Sequence, residues 1–143
     1  MLQPIIVDSG ISVKWYVAEA DSSQAEIIYQ DYEDGNLEFL APDLIYAEFG
    51  NIIWKKQIFQ GLTTANAETA IKSFQKIVFT LTPTALLFDD AFKIAVEYRR
   101  SFYDSLYLPL SVRENCSFVT ADEKLYNAVK TDFSQIILLA DWK

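Results

Sequence analysis

Short apolar segments alternate along this chain with longer segments of helical periodicity, and this alternation most constrains its fold. Four segments have the composition of buried strands, at residues 5–7, 37–41, 117–120 and 135–139. Strands that are buried on both faces have continuous apolar runs, as these do. The sequence therefore predicts an α/β domain in which a small, mostly parallel sheet is flanked by helices.

The segments between these strands have the apolar spacing of helices. Pro42 suits the first turn of one of them, with Asp43 close to its positive end. This helix should continue through Ile53 because apolar residues recur at helical intervals up to that point. The other predicted helices cover residues 21–35, 63–77, 86–102, 104–114 and 122–130.

Length and composition indicate one domain that spans residues 1–143. The chain is 51% hydrophobic, with four glycines and four prolines, and it has no repeat or low-complexity tract. This content is sufficient for a single core. No signal peptide is expected, because no basic segment precedes a long apolar stretch. No apolar run approaches the roughly 18 residues of a membrane span. One cysteine, Cys116, excludes an intramolecular disulfide, and a cytoplasmic location is expected.

The chain contains no histidine. This absence excludes a catalytic triad that uses histidine, a Cys–His pair and a zinc site with histidine ligands. Acid–base or metal chemistry must therefore come from carboxylates, lysines or tyrosines.

The net charge of −8 is unevenly distributed. Residues 1–48 contain ten acidic residues and one basic residue, whereas residues 49–143 contain ten acidic and eleven basic residues. Such a charge gives little long-range attraction for a polyanion. Local contacts with phosphate remain open for six basic residues: Lys14, Lys55, Lys56, Arg99, Arg100 and Arg113.

Two aspartates follow predicted strands. Asp8 comes directly after the strand at residues 5–7, and Asp122 follows the strand at residues 117–120. The carboxyl ends of parallel strands meet at one edge of a sheet, where the functional crevice of such domains lies. Either aspartate could instead cap the helix that follows it. Capping and ligand binding are compatible, so both interpretations stand.

Glu48 lies on the apolar face of its predicted helix. It stacks between Leu44 and Ile52 at four-residue intervals, which places its carboxylate at the edge or middle of the core-facing stripe. Two alternatives remain open. The side chain could reach water at the boundary of the core, or it could pair with a base such as Arg99.

Asp104 begins another apolar helix, either as its N-cap or as an acid in its first turn. Pro109 lies inside this helix and cannot donate a hydrogen bond to the carbonyl of Ser105, so a kink or a shortened first turn is expected.

Partly buried acids are costly unless a cation neutralises them. Mg²⁺ and Mn²⁺ prefer oxygen ligands of this kind. A divalent metal site is therefore a hypothesis that the residues themselves raise.

Four segments of the chain together resemble the motifs of PIN-domain ribonucleases, especially toxins of the VapC type. The resemblance spans almost the whole chain, and the four segments occur in the order and at the intervals usual in that family. They read IVDSGISVKW at residues 6–15, PDLIYAEFGN at 42–51, YDSLYL at 103–108 and VTADEKL at 119–125.

This resemblance implies a three-layer α/β/α PIN-like fold and a metal-dependent endoribonuclease that hydrolyses RNA, the toxin of a type II toxin–antitoxin pair. The matching acids are Asp8, Glu48, Asp104 and Asp122, which would converge on Mg²⁺ or Mn²⁺, and Thr120 matches a polar residue that often assists catalysis. The resemblance also implies a homodimer and a small antitoxin whose tail occupies the active-site groove.

Two further functions remain open. One is a nuclease of the same chemical class without a toxin role, either an RNA-processing enzyme or a structure-specific DNA nuclease. The other is a module that binds nucleic acid or protein through a PIN-like fold with little or no cleavage. Changing Asp8 or Asp104 to asparagine should abolish cleavage but spare a pure binding role.

Overall fold

The computed structural model describes residues 2–143, and its central element is a five-stranded sheet. Every neighbouring pair of strands is parallel, so the predicted parallel arrangement is confirmed. The strand order is β3-β2-β1-β4-β5. The strands are β1 Gln3–Val7, β2 Leu37–Pro42, β3 Phe79–Thr82, β4 Ser117–Thr120 and β5 Ile136–Leu138.

Helices connect each strand to the next. None of the helices in residues 2–143 combines the length and apolar content that crossing a membrane requires. The helices are α1 Ser9–Lys14, α2 Ser22–Glu33, α3 Ile45–Phe59, α4 Thr64–Gln75, α5 Thr84–Tyr98, α6 Phe102–Ser105, α7 Tyr107–Glu114 and α8 Glu123–Val129, followed by a 3₁₀ turn at Leu139–Asp141.

The helices form two layers, one on each face of the sheet. Ile5 and Val7 of β1 pack in a core with residues of α1 to α4, and Ile6 packs in a second core with residues of α5, α7 and α8. All three side chains are fully buried. A strand that is covered on both faces needs this unbroken apolar run, and the three-layer α/β/α fold is confirmed.

The edge strand β3 was not predicted from the sequence. Its residues alternate between apolar and hydroxyl side chains, and within it only Phe79 is buried. The pattern is therefore that of a half-exposed strand, which is shorter and less apolar than the central strands. The side chain of Thr80 donates a hydrogen bond to Glu38 of the neighbouring strand at 2.8 Å.

The predicted start of α3 was wrong. Pro42 ends β2 and lies beside Thr82 of β3, and the helix begins only at Ile45. Asp43 stabilises a different helix, because its carboxylate accepts a hydrogen bond from the backbone N–H of Thr84 at 3.0 Å, at the start of α5. Proline has no N–H group to donate to the sheet, and here it occupies the last position of the strand.

The predicted helix at residues 104–114 is divided into α6 and α7, which meet at Leu106. Pro109 is the third residue of α7, so its missing hydrogen bond falls at this break. The kink predicted from Pro109 is confirmed. The preceding helix ends at Tyr98, earlier than predicted, because Arg99 adopts a left-handed conformation with φ of 55°.

Candidate active site

The crossover pattern of the sheet creates a crevice beside β1. The chain runs from β1 outward to β2 and β3, and then returns to the other side of β1 to form β4. Ligands of open parallel sheets bind at such a reversal, outside the carboxyl ends of the strands. Asp8 follows β1 directly, and Asp122 lies two residues beyond β4. The two aspartates are therefore placed at this reversal.

A cavity of about 470 Å³ at this edge is lined by all four predicted acids. Asp8 and Asp122 reach it from the strand ends, Glu48 from α3 and Asp104 from α6. Within residues 2–143, no three Asp, Glu, His or Cys side chains form a ready-made cluster of metal ligands. The four carboxylates thus line one cavity, but no three of them converge on a common point as the resemblance implied. A shared cation would have to draw them closer together.

Both oxygens of Asp8 have hydrogen-bond donors. Oδ1 accepts the backbone N–H of Ile11 at 3.0 Å and so caps α1, and Oδ2 accepts the hydroxyl of Thr120 at 2.9 Å. The capping interpretation is therefore correct for Asp8 and does not remove it from the cavity. Each carboxylate oxygen keeps a second lone pair that can bind a cation.

Thr120 lies behind Asp8 and is fully buried. Its hydroxyl donates to Asp8 and accepts the backbone N–H of Asp122 at 3.1 Å. Thr120 thus joins the ends of β1 and β4. Its hydroxyl contacts Asp8, and Thr120 itself does not line the cavity.

Asp122 and Asp104 differ in their local roles. Asp122 is exposed and caps α8 by accepting the N–H of Leu125 at 3.0 Å. Asp104 is an acid of the first turn of α6, and the cap of that helix is Ser101, whose hydroxyl accepts the N–H of Asp104 at 3.1 Å. The carboxylate of Asp104 therefore lines the cavity without capping its helix, whereas the carboxylate of Asp122 is fixed by the N–H of Leu125.

Glu48 is held by a tyrosine that sequence reasoning did not single out. The hydroxyl of Tyr107 donates to Oε1 of Glu48 at 2.7 Å, so the carboxylate pairs with Tyr107 rather than with Arg99. Tyr107 is buried and its ring stacks on Phe118, with ring centroids 5.4 Å apart. A tyrosine on the buried face of a helix needs a hydrogen-bond partner for its hydroxyl. This need was the feature of the sequence that could have pointed to Tyr107.

Three acids of the cavity, Asp8, Glu48 and Asp104, are easier to protonate than usual. Burial is the main cause and raises the pKa of Asp8 to about 6, although the bonds from Ile11 and Thr120 oppose it. Burial likewise raises the pKa of Glu48 to about 7, against the bond from Tyr107, and nearby acids add to both increases. Burial also raises the pKa of Asp104.

The ion pairs found within residues 2–143 do not include these four acids. They join Glu19 to Lys14 and to Lys56, and Arg113 to Glu114. The donor set is therefore made of oxygen atoms, is partly buried and has excess negative charge. These properties fit Mg²⁺ or Mn²⁺, which prefer such ligands.

The same cavity is lined by a charged cluster around Glu19, an acid that sequence reasoning did not single out, whereas Lys14 and Lys56 were among the predicted candidates for phosphate contacts. Lys14, at the end of α1, and Lys56, in α3, both contact the carboxylate of Glu19. Burial alone would raise the pKa of Glu19, but the two lysines outweigh it and lower this pKa. No local pattern could reveal the pair between Glu19 and Lys56, because the two residues are 37 positions apart.

Replacing Tyr107 with phenylalanine should weaken metal binding more than it weakens the fold. The ring can still stack on Phe118, but Glu48 loses its hydrogen bond and its fixed orientation. Partners that orient ligands in this way typically contribute about 10- to 100-fold in metal affinity. The cost in folding stability should be about 1 kcal/mol. Titration calorimetry with Mn²⁺ and urea unfolding would measure the two effects.

Tyr98→Phe is the matched control for this variant. The hydroxyl of Tyr98 also donates to a carboxylate, that of Asp132, but it does so outside the cavity. This variant should keep the full affinity for Mn²⁺. Equal Mn²⁺ affinities for wild type and Tyr107→Phe would show that Tyr107 has no role at the site.

Comparison with known proteins gives one family and two informative solved structures. The family model of the PIN domain matches residues 5–130. A crystal structure of PAE2754 from Pyrobaculum aerophilum has a TM-score of 0.63 at 20% sequence identity, covering 98% of this chain and 93% of that one. VapC20 from Mycobacterium tuberculosis, a toxin that cleaves the sarcin–ricin loop, has a TM-score of 0.62 at 13% identity, covering 90% of this chain and 95% of that one.

No curated protein matches the chain significantly. At these identities the two solved structures show a shared fold, and the family model covers most of the chain in agreement with the parallel sheet and its helical layers. The predicted family is therefore confirmed, and the chain belongs to the PIN domain family.

Proposed function

We propose that this protein is a divalent-metal-dependent endoribonuclease that hydrolyses phosphodiester bonds in RNA and acts as the toxin of a type II toxin–antitoxin pair. The observation that carries the proposal is the cavity itself. Four carboxylates from four separate segments of the chain line it at the crossover reversal, and no ion pair found within residues 2–143 compensates their charge. PIN domains are generally nucleases, which agrees with this chemistry.

Asp8, Glu48, Asp104 and Asp122 would hold Mg²⁺ or Mn²⁺. When bound, the metal lowers the pKa of a coordinated water and offsets charge on the scissile phosphate. The protein supplies orientation. Thr120 and the start of α1 fix both oxygens of Asp8, and the hydroxyl of Tyr107 fixes Glu48. Carboxylates that are held in this way lose little further freedom when a ligand binds.

The charge of the cavity opposes RNA binding, so a bound metal would assist substrate binding as well as chemistry. Five carboxylates and two lysine ammonium groups line it, a formal net charge of −3 when all are ionised. RNA is a polyanion, and its approach to such a surface is unfavourable. Bound divalent cations reduce this repulsion, so the RNA affinity at the cavity should rise with metal concentration.

The toxin assignment rests on the shared fold with VapC20, whose structure is described as that of a toxin that cleaves the sarcin–ricin loop. We include in the proposal a single domain over residues 1–143, a cytoplasmic location, a small antitoxin that covers the groove, and a homodimer.

An exposed apolar stripe on α5 supports self-association. Phe88, Phe92 and Val96 are spaced four residues apart and are 51–64% exposed.

The direct test is cleavage of structured RNA hairpins, one of them with the sarcin–ricin loop sequence. Wild-type protein should cleave with millimolar Mn²⁺ and stop when EDTA is added. Asp8→Asn should be inactive, although asparagine can still cap α1. Gel analysis of end-labelled RNA gives both the rate and the cleavage position.

The rival interpretation, a binding module, predicts a different result in the same assay. RNA or protein binding would persist in Asp8→Asn, and wild type would leave every RNA intact at all Mn²⁺ concentrations. Cleavage that is insensitive to EDTA would likewise contradict the metal-dependent mechanism.

A further inference from the structure

Two lysines of the cavity wall are unusually buried for their type. The side chains of Lys14 and Lys56 are 11% and 12% exposed. Lysines normally keep their ammonium groups in water, and they are buried only with a partner. Both lysines contact Glu19, in the loop between α1 and α2, whose side chain is 27% exposed, and Nζ of Lys14 also donates to the carbonyl of Ala20 at 2.8 Å.

Glu19 bridges the two ammonium groups with its two oxygens. Oε1 lies 3.4 Å from Nζ of Lys14, and Oε2 lies 2.5 Å from Nζ of Lys56. A phosphodiester also has one negative charge and two free oxygens, and it could accept from the same two donors. Two ammonium groups and one carboxylate leave a local charge of +1, so an anion is favoured at this point of an otherwise acidic cavity.

The cluster also lies where a polymer could continue past the four acids. Glu19 and Lys56 line the cavity that holds the acids and also a neighbouring cavity of about 460 Å³. The neighbouring cavity includes Gln60 and Gly61, just beyond the end of α3. The two cavities adjoin at Glu19 and Lys56, which line both, and Lys14 lies on the side of the four acids.

We propose that Lys14 and Lys56 form the binding site for an RNA phosphate adjacent to the scissile one, and that Glu19 occupies this site in the free protein and is displaced by the substrate. The proposal rests on the nuclease function proposed above. Glu19 lies outside the helices, between the end of α1 and the start of α2, so its side chain can leave without helix unfolding. Glu19 then acts as an internal competitor that weakens RNA binding.

The test measures the affinity of a fluorescently labelled single-stranded RNA at fixed Mn²⁺, in an Asp104→Asn background that should not cleave it. Adding Glu19→Gln should tighten binding roughly tenfold, because a charged competitor is removed. Lys14→Met and Lys56→Met should each weaken binding by about the same factor and lower the salt dependence by about one charge. In protein that retains Asp104, Glu19→Gln should lower KM for RNA cleavage and leave kcat unchanged.

Lys55→Met is the matched control. It removes a lysine from the same helix, but Lys55 is exposed and does not line the cavity. Glu19→Gln combined with Lys56→Met should lose the gain in affinity. Melting temperatures of all variants separate a loss of folding from a loss of binding.

The alternative is that Glu19 only fastens its loop to α3. In that case Glu19→Gln would lower the melting temperature without tightening RNA binding, and the proposal would be overturned. The proposal would also be overturned if RNA bound neither to Asp104→Asn nor to Asp104→Asn combined with Glu19→Gln, which both keep the two lysines. The binding measurement does not require cleavage. If wild type did not cleave RNA but Glu19→Gln still bound RNA more tightly, the nuclease function would be refuted and the phosphate-binding site would stand.

Discussion

Replacing Asp104 with asparagine should abolish RNA cleavage and, in EDTA at pH 7.5, raise the melting temperature. Rates should fall on the order of 10³-fold or more, as for other groups that act directly on the reacting atoms. The opposite effect on stability follows from burial and from the charge of Asp122, which raise the pKa of Asp104. Neutral asparagine keeps the size of aspartate but removes this unfavourable charge.

Scanning calorimetry and a single-turnover cleavage assay measure the two effects on the same protein samples. Asp89→Asn is the control, because Asp89 is an exposed acid of α5 outside the cavity. It should change neither the rate nor, in EDTA, the melting temperature. If Asp104→Asn were instead less stable than wild type in EDTA, Asp104 would be a structural acid rather than one held for a cation.

Metal should stabilise the protein strongly at pH 8 and weakly at pH 5. The pKa values of Asp8 and Glu48 are raised to about 6 and about 7 in the folded protein. Raised carboxyl pKa values mean that the folded state binds protons more tightly than the unfolded state does. Without metal, their contribution to stability is complete below about pH 4 and is lost as pH rises through 6 and 7. The loss is on the order of a few kcal/mol.

Divalent cations should offset this loss, because they would bind the ionised carboxylates of the folded state. At about 100 times the dissociation constant, Mn²⁺ should add about 2.7 kcal/mol of stability. For a domain of this size the melting temperature should rise by roughly 5–10 °C. Protons compete for the same oxygens at pH 5, so the shift there should be small. Equal shifts at both pH values would exclude these carboxylates as the ligands.

The sequence-based predictions succeeded where the relevant interaction is local. Asp8 and Asp122 accept hydrogen bonds from residues three positions further along, Ile11 and Leu125, and the strands before them are continuous apolar runs. Their positions at the strand ends could therefore be deduced from spacing alone. The kink at Pro109 was predictable for the same reason, since proline removes a bond within its own helix.

The predictions failed where contacts join distant segments. Tyr107 is 59 residues from Glu48, and Glu19 is 37 residues from Lys56. No periodicity in one segment specifies which side chain of another segment will meet it. The edge strand β3 was missed for a related reason, because its place is decided by pairing with β2 and its own apolar content is small.

Capping gives two of the four acids a second constraint during evolution. Asp8 and Asp122 each cap the start of a helix, so a relative without nuclease activity would still need a side chain that caps at both positions. Asparagine, serine or threonine would meet that need. Asp104 has no such second role, because Ser101 caps its helix. Degenerate relatives should therefore lose the acid at position 104 first and retain polar residues at 8 and 122.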